Sequence, residues 1–240
     1  MIHRLDGLRA TYANQFIEND QKQIELSKIA DFRIFQSIES LNAFQKFGYS
    51  DNKHVIIYNG ADHNVFKLKE DFKLGKKIKL IANSWSTNRL KGFDTISLMS
   101  EVPGVEMSFI GRWNEEVPKR NVKILGEKTY TEVAKSLSEC DFFLHAASND
   151  PCPNVVVEAL SVGLPVIYHN SGGTKELAQN YGVSLPDKIN TNNLSETLKL
   201  AIQKYPKLVE KIKIDRKNFS IERATQEYIS IFKNLVNEKH

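Results

Sequence analysis

Two carboxylates, Asp150 and Glu158, lie eight positions apart in this chain, across a predicted junction between a loop and a helix. Two prolines between them disfavour a helix, whereas Asn154 is a typical helix cap and the run 155–162 is apolar apart from its one acid. This pattern places Glu158 about one turn inside a buried helix and leaves Asp150 on the loop before it. Acids in this arrangement could face different parts of one polar ligand.

A phosphate could dock between these two acids, because the start of a helix presents free N–H groups and a partial positive charge. The arrangement therefore suits a sugar nucleotide. The alternative is that Asp150 is a plain loop acid beside Pro151 and that Glu158 is a solvated helix position. The surrounding sequence favours the ligand site, since small residues and the glycine pair Gly172 and Gly173 follow in the pattern of a binding loop.

The segment 150–166 resembles the Glu-x7-Glu motif of the family 4 retaining glycosyltransferases, which have the two-domain GT-B fold. The resemblance implies that Glu158 holds the ribose hydroxyls of the donor and that Asp150 faces the hydroxyls of the donor sugar. It also implies that Asn154 and Val155 bind the donor from the helix start. The first acid of the motif is Asp in this chain, and it reaches about 1.5 Å less than Glu. Sugar choice or turnover could therefore differ from members with Glu.

The basic loop 84–94 resembles the loop that grips the donor diphosphate in the family. Lys91 and Gly92 match the family's Lys-Gly pair, which makes Lys91 a candidate catalytic residue beside the two acids. The family's arginine normally lies several residues earlier, where this chain has Trp85, so Arg89 is the candidate substitute. The alternative is a surface lysine that opens a helix, a position where a cation is unfavourable without an anion to bind.

Several further residues that follow predicted strands are candidate contacts of the donor. Glycine at 111 would let the backbone approach a ligand closely, and the arginine after it could contact a phosphate. The resemblance adds the strand end at 125, where the family packs the nucleotide base, and the glycine-rich helix start near 174. Ordinary strand ends, a surface arginine and a helix-start turn are the alternatives. These candidates are Gly111, Arg112, Leu125, Gly172, Gly173 and Thr174, with Asp6 as the candidate on the acceptor side.

The composition indicates a globular protein without a nucleic-acid partner. Of 240 residues 41% are hydrophobic, and the net charge of +4 comes from scattered lysines rather than from an arginine-rich block. The two cysteines form no CxxC pair, which fits a reducing cytoplasm, and no apolar run approaches the roughly 20 residues of a membrane span. Mild basicity is compatible with contact at the anionic inner face of a membrane. The six histidines lack metal-ligand spacing, so we expect no metal and no cofactor beside a UDP-, GDP- or ADP-sugar donor.

From about residue 77 the apolar pattern alternates between short strands and amphipathic helices, which predicts a doubly wound parallel sheet in an α/β fold. Ligands of such sheets bind at the carboxyl ends of the strands, where both acids would lie. No G-x-G-x-x-G follows a predicted strand, which argues against a dinucleotide-dependent oxidoreductase. The predicted strands are 78–83, 105–110, 122–125, 142–145 and 165–169, and the predicted helices are 95–101, 130–137, 154–162, 174–179, 194–203, 207–217 and 220–236.

The beginning of the chain is predicted to be a partial second α/β domain. Segments 4–7, 35–37 and 57–62 resemble the last portion of the acceptor domain of these transferases, which implies that the front of that domain is absent. We predict strands at 1–5, 32–36 and 54–58 and helices at 16–29 and 40–47. The predicted organisation is an acceptor-side remnant at 1–68, a Rossmann-like donor-binding domain at 69–220 entered through a charged linker at 67–79, and a closing helix within 221–240. That helix either crosses back to the first domain or lies on the sheet surface.

The resemblance implies a retaining, metal-independent glycosyltransferase of polysaccharide biosynthesis. It would move a hexose-type sugar from a nucleotide diphosphate to a glycan or a lipid-linked acceptor. Lys91, with Arg89 or Arg112, and the start of the 154–162 helix would stabilise the charge on the leaving diphosphate. Two alternatives stay open: a truncated module that binds nucleotide sugar without transfer, and another GT-B enzyme such as a sugar-nucleotide epimerase.

Overall fold

The computed structural model describes residues 1–12 and 18–237, and within them the chain forms two parallel β-sheets. The first sheet has three strands in the order β1-β2-β3. The first two positions of the predicted helix 16–29 and the last three of 221–240 lie outside the described residues. The elements of this first unit are β1 (Ile2–Leu5), α1 (Arg9–Tyr12), α2 (Glu18–Ile29), β2 (Phe32–Phe35), α3 (Ile38–Lys46) and β3 (His54–Ile56).

The second unit is a six-stranded parallel sheet in the order β6-β5-β4-β7-β8-β9, which confirms the predicted doubly wound α/β fold. The chain runs outward from β4 to β6 and then crosses to β7, so the topological switch point lies between β4 and β7. Its elements are β4 (Ile78–Ser84), α4 (Phe93–Met99), β5 (Val105–Gly111), β6 (Lys123–Ile124), α5 (Tyr130–Ser138), β7 (Phe142–His145), α6 (Asn154–Val162), β8 (Val166–Tyr168), α7 (Gly172–Ala178), β9 (Gly182–Ser184), α8 (Thr191–Asp215) and α9 (Ile221–Asn237).

Helices cover both faces of the larger sheet, because successive strand residues belong to different apolar clusters. Leu80 of β4 packs in the cluster that contains α4 and α8 residues, whereas Ile81 packs in the cluster that contains α5 and α6 residues. Phe142 and Phe143 of β7 divide between the same two clusters. Burial on both faces explains why these strands read as continuous apolar runs.

The long helix α8 corrects the sequence prediction. Separate helices were expected at 194–203 and 207–217, because a proline inside a helix removes a hydrogen bond and crowds the preceding turn. The structure has one helix of 25 residues that includes Pro206. Pro206 is exposed, while Leu198, Tyr205 and Ile212 bury one face of the helix on both sides of it. Packing of this face outweighs the local cost of the proline.

The segment 67–79 is more than a solvated charged connection. Lys69 is buried, and its Nζ donates to the carbonyl oxygen of Cys140 over 2.6 Å. Its backbone N–H donates to the carbonyl oxygen of Val162, at the end of α6. The connection between the two units is therefore fixed to the second unit by hydrogen bonds from both backbone and side chain.

The final helix, α9, crosses back to the first unit. Ala224 packs in one cluster with Ile34 of β2 and Ile57, and the Arg223 guanidinium donates to the carbonyl oxygens at 58 and 59. Ser220 caps the helix, because its Oγ accepts from the N–H of Arg223 at 3.1 Å. Of the two interpretations of this helix, the structure therefore has the crossing.

A carboxylate of the second unit also joins the two units. Glu176 of α7 accepts hydrogen bonds from the N–H groups of Ile38 and Glu39, at 2.9 and 2.7 Å, and from the Tyr58 hydroxyl at 2.9 Å. The two N–H groups are at the start of α3, where the helix dipole favours an anion. Burial and the contact with Glu176 raise the pKa of Tyr58, so its hydroxyl stays a donor. The second unit therefore caps a helix of the first unit.

We expect Glu176→Ala to lower the free energy of unfolding by roughly 2–3 kcal/mol, because a charged acceptor is lost from three donors. Urea titration followed by circular dichroism would measure the change. Glu210→Ala, an exposed acid on α8, is the matched control and should change stability by less than about 0.5 kcal/mol. Equal losses in the two variants would contradict a role of Glu176 in joining the units.

Candidate functional site

Several of the predicted site residues, among them Lys91, Asp150 and Asn154, come together at the carboxyl ends of β4, β7 and β8, beside the switch point of the sheet. Three loops leave the sheet at this edge, at 85–92, 146–153 and 169–171. The first unit lies opposite them and contributes Asp6, Gly7 and Arg9 to the same cleft. Parallel sheets of this kind present their ligand sites at this edge.

The loop after β4 carries Lys91 on a short 3-10 turn, Arg89–Lys91. Gly92 follows with a φ of 80°, and a Cβ at this position would lie 2.3 Å from the carbonyl oxygen of Ala146. The N–H of Ser148 donates to the carbonyl oxygen of Leu90 at 3.0 Å. The Lys-Gly pair thus lets this loop lie directly against the loop after β7.

The loop after β7 carries Asp150 and is held from its other side by the start of α7. Asn149 has a φ of 54°, and its N–H donates to Ser171 Oγ at 2.8 Å. The N–H of Gly173 donates to the carbonyl oxygen of Asp150 at 2.9 Å, and a Cβ at Gly173 would lie 1.8 Å from the carbonyl oxygen of Pro151. The glycine pair Gly172 and Gly173 therefore positions the Asp150 loop through close backbone packing.

These loops bring Lys91 and Asp150 into direct contact. Lys91 Nζ lies 2.8 Å from Asp150 Oδ2, and the two side chains keep 35% and 15% of their surface exposed. Both residues line a cavity of about 370 Å³ that Asp6 and Arg9 of the first unit close. A cation, an acid and two charged residues of the other unit thus line one cleft, which brings together the candidates Lys91, Asp150 and Asp6.

The start of α6 has no side-chain cap, which corrects the prediction for Asn154. The cap position is Pro153, and Asn154 is the first helical residue. Asn154 Oδ1 instead accepts from Asn59 Nδ2 of the first unit at 2.6 Å. Asn154 and Val155 line a cavity of about 290 Å³ together with Lys91 and Asp150. The positive end of α6 therefore opens toward the ion pair.

Glu158 lies one turn along α6, in a neighbouring cavity of about 420 Å³. Burial raises the pKa of its carboxyl to about 7. Asn154 lines both this cavity and the one that contains the ion pair, so the two are adjacent. Tyr130, and Arg4 from the first unit, also line the Glu158 cavity. One elongated ligand could extend from Glu158 past Asn154 to Asp150.

The two arginines predicted at the site are held by acids on the surface. Arg89 forms a two-pronged ion pair with Asp94, at 2.9 and 3.0 Å, and Arg112 pairs with Glu127. Both guanidinium groups are exposed, and neither lines the described cavities around Asp150 and Glu158. A role in donor binding for either arginine stays a prediction and requires it to leave its acid.

Three further candidates, two at strand ends and one near the start of α7, make contacts within the protein. Gly111 has a φ of 103°, and a Cβ there would lie 2.1 Å from the carbonyl oxygen of Ser84, so the close approach is to a neighbouring strand rather than to a ligand. The N–H of Leu125 donates to the carbonyl oxygen of Phe109. Thr174 is fully buried beneath the glycine turn. Their contacts with a donor stay predictions.

Sequence reasoning missed several residues that line the cavities. His145 and Asn83 end their strands beside the ion pair, Trp85 follows β4 with 48% of its surface exposed, and Tyr130 lies near Glu158. Burial lowers the pKa of His145 to about 4, so this imidazole is neutral. Their positions at the ends of strands and helices could have indicated a binding site. The apolar periodicity, however, does not distinguish such residues from core residues.

No helix in the described ranges, 1–12 and 18–237, is long and apolar enough to cross a membrane. The same ranges contain no group of three or more His, Cys, Asp or Glu residues that could hold a metal ion. Cys140 and Cys152 are both buried and free.

Comparison with known proteins relates this chain to glycosyltransferases. Residues 110–218 match the family model described as glycosyl transferases group 1. An uncharacterized glycosyltransferase of Methanocaldococcus jannaschii, MJ1178, is 26% identical over 159 residues, which cover 61% of this chain and 43% of that protein. The chain thus spans less than half the length of this curated relative.

Solved structures share the fold across nearly the whole chain. Sucrose-phosphate synthase from Thermosynechococcus elongatus superposes with a TM-score of 0.78 and 16% identity, covering 99% of this chain and 68% of that one. Anabaena HepE in complex with UDP-glucose superposes with a TM-score of 0.77 and 19% identity, covering 97% and 72%. The α/β architecture is that of the GT-B glycosyltransferases.

Proposed function

We propose that this chain transfers a sugar, with retention of configuration, from a nucleotide diphosphate to a hydroxyl of a glycan or a lipid-linked acceptor, as the family 4 enzymes do. The observation that carries the proposal is the Lys91–Asp150 contact of 2.8 Å at the uncapped start of α6. A cation and a helix N-terminus together suit a diphosphate. The complex of HepE with UDP-glucose supports this class of donor.

The order of the cavities supports one orientation of the donor. The nucleoside would occupy the Glu158 cavity, with its ribose hydroxyls donating to the carboxylate. The diphosphate would lie against Asn154, Val155 and Lys91. The sugar would then lie beside Asp150, in the cleft that the first unit closes with Asp6. This orientation leaves the acceptor to approach from the side of Asp6.

In the proposed reaction, the acceptor oxygen bonds to the anomeric carbon while the bond from that carbon to the diphosphate oxygen breaks. The acceptor proton passes to an oxygen of the departing diphosphate, on the same face of the sugar. Lys91 and the start of α6 would stabilise the negative charge on the leaving group. Asp150, whose Oδ2 already contacts Lys91, would orient the sugar hydroxyls. No covalent intermediate on the protein is then required.

Removal of Lys91 tests the assignment of the diphosphate site. We expect Lys91→Ala to weaken donor binding or turnover at least tenfold, because a charge-assisted hydrogen bond contributes roughly 1.5–3 kcal/mol. Calorimetry with UDP-, GDP- and ADP-glucose would measure binding, and release of nucleoside diphosphate would measure turnover. Lys79→Ala, an exposed lysine at the opposite end of β4, should leave both unchanged. Equal affinity in Lys91→Ala and the control would contradict the assignment.

The raised pKa of Glu158 gives a test of the nucleoside end. The native carboxyl ionises near pH 7, against about 4.5 when unfolded, so its stabilising effect is present below 4.5 and is lost as pH rises through 7. Glu158→Gln should therefore gain stability relative to the parent between pH 5 and pH 8. The shift in pKa sets an upper limit of about 3 kcal/mol on this gain. We expect a smaller gain, because the side chain is partly exposed to solvent.

Donor binding should show the opposite trend, since an ionised carboxylate accepts hydrogen bonds from ribose more strongly. We expect affinity for the preferred nucleoside diphosphate to rise from pH 6 to pH 8 in the parent more than in Glu158→Gln. Thermal melting and calorimetry at each pH would measure both trends. Parallel pH profiles for parent and variant would exclude Glu158 as the titrating group.

The stereochemistry and the metal dependence can be tested in one reaction. With an α-linked donor, we expect an α-linked product in the proton NMR spectrum, and the same rate with magnesium or with excess EDTA. A β-linked product would refute retention, and loss of activity in EDTA would refute metal independence. Epimerised donor without glycoside would identify an epimerase, and binding without either product would identify a donor-binding module.

A further inference from the structure

Two residues that line the cavity beside the ion pair each have a buried polar atom without a hydrogen-bond partner. These atoms are Oδ1 of Asn83 and Nε2 of His145. The parallel pairing of β4 with β7 sets Ile81 opposite Phe143, and Asn83 and His145 each follow these residues by two positions on their strands. Both side chains therefore leave neighbouring strands on the same face of the sheet.

Both atoms are withdrawn from water. His145 as a whole is 5% exposed, and Asn83 is partly buried. A buried polar atom without a hydrogen bond destabilises the folded state, and most such atoms in proteins are paired. The core elsewhere in these strands is apolar, and Phe143 stacks against His145 on the same face. Two unpaired polar atoms on residues that line one cavity are therefore unexpected unless a ligand pairs them.

The cavity that these residues line already contains the proposed donor contacts. Its volume is about 290 Å³, and Lys91, Asp150 and Asn154 line it with Asn83 and His145. Trp85, at the end of β4, lines the same cavity and presents 48% of its surface to solvent. A broad exposed indole at the rim of a polar cavity suits packing against a sugar ring. The unpaired atoms and the aromatic rim are independent signs of a ligand here.

The chemistry of the two atoms selects the kind of group that could pair them. Asn83 Oδ1 accepts only, so it needs a donor. His145 is neutral, because burial lowers its pKa to about 4, and a neutral imidazole either donates or accepts at Nε2. A hydroxyl can donate to Asn83 and accept from His145 at the same time, whereas a phosphate oxygen has no proton for Asn83. The pair therefore suits a hydroxyl group.

We propose that Asn83 and His145 together bind a hydroxyl of the donor's sugar ring and so help to determine which sugar is accepted. The proposal rests on the proposed function of this cavity as the donor site. Lys91 and the start of α6 recognise the charged diphosphate, while Asn83 and His145 recognise the neutral sugar. These two residues act by contact with substrate and are specificity-determining rather than catalytic.

The proposal is tested by separating affinity for the sugar from affinity for the nucleotide. Asn83→Leu, His145→Phe and the double variant replace the polar atoms by apolar groups of similar shape. Calorimetry would compare UDP-glucose with UDP, and GDP- and ADP-glucose with GDP and ADP. We expect the double variant to bind the preferred sugar nucleotide about tenfold more weakly than the parent and to bind the matching nucleoside diphosphate equally well. The double variant should melt at the same temperature or higher without ligand, because two unpaired polar atoms are removed.

Deoxy donors identify the hydroxyl. Among 2-, 3-, 4- and 6-deoxy analogues of the preferred donor, we expect one to bind the parent about as weakly as the double variant binds the complete donor. The double variant should not distinguish that analogue from the complete donor. His63→Phe is the matched control, since His63 also has a buried unpaired Nε2 but lies outside this cavity.

Three results would overturn the proposal: equal loss of sugar nucleotide and nucleoside diphosphate affinity, unchanged affinity for both, or a lower melting temperature with unchanged donor affinity. The first would assign the pair to the diphosphate, and the last would assign it to the fold. Failure of the proposed function gives a different result, because the parent itself would then bind neither sugar nucleotide nor nucleoside diphosphate.

Discussion

The loop between β7 and α6 is the constraint on which the rest of the site depends. It carries Asp150, leads into α6 and so sets the position of Glu158. It is held by backbone hydrogen bonds from two sides: Ser148 N–H donates to the loop after β4, and Gly173 N–H donates to it from α7. Neither contact depends on the identity of a ligand. The geometry that would bind a donor is therefore built into the sheet edge before any donor arrives, and binding need not order these loops.

Glycines make this arrangement possible, because three pieces of backbone meet within van der Waals contact. A Cβ at Gly92 would overlap Ala146, one at Gly173 would overlap Pro151, and one at Gly7 would lie 2.8 Å from the Pro151 ring. The last of these contacts brings the first unit against the Asp150 loop. These glycines therefore lie against protein atoms, and through these contacts they help to fix the position of Asp150.

The sequence was sufficient for the parallel sheet and for the edge of the sheet at which Lys91 and Asp150 lie, since strand periodicity and the edge rule for doubly wound sheets are general. It was insufficient for the partner that each charged group takes, whether that partner is near in the chain or distant. Arg89 is near Lys91 in sequence, but Asp94 holds its guanidinium on the surface. Glu176 lies in the predicted helix 174–179, and its neighbours in the sequence do not indicate its three donors. These donors belong to residues more than 100 positions away. The unpaired atoms of Asn83 and His145 could not be predicted either, because the spacing of residues in the sequence does not show which polar atoms are buried without a partner.

Charged residues of both units line the described cavities. Lys91 is already in contact with Asp150, so the pair presents little net charge to a diphosphate, and the start of α6 supplies only a partial positive charge. Two guanidinium groups line the described cavities, and both come from the first unit. Arg9 lies in the cavity with the ion pair, and Arg4 lies in the cavity with Glu158. Arg4 is itself held by Tyr228 of α9 and by Asn59. The helix that crosses back therefore does more than join two sheets, because its Tyr228 holds the guanidinium of Arg4 in the cavity that contains Glu158.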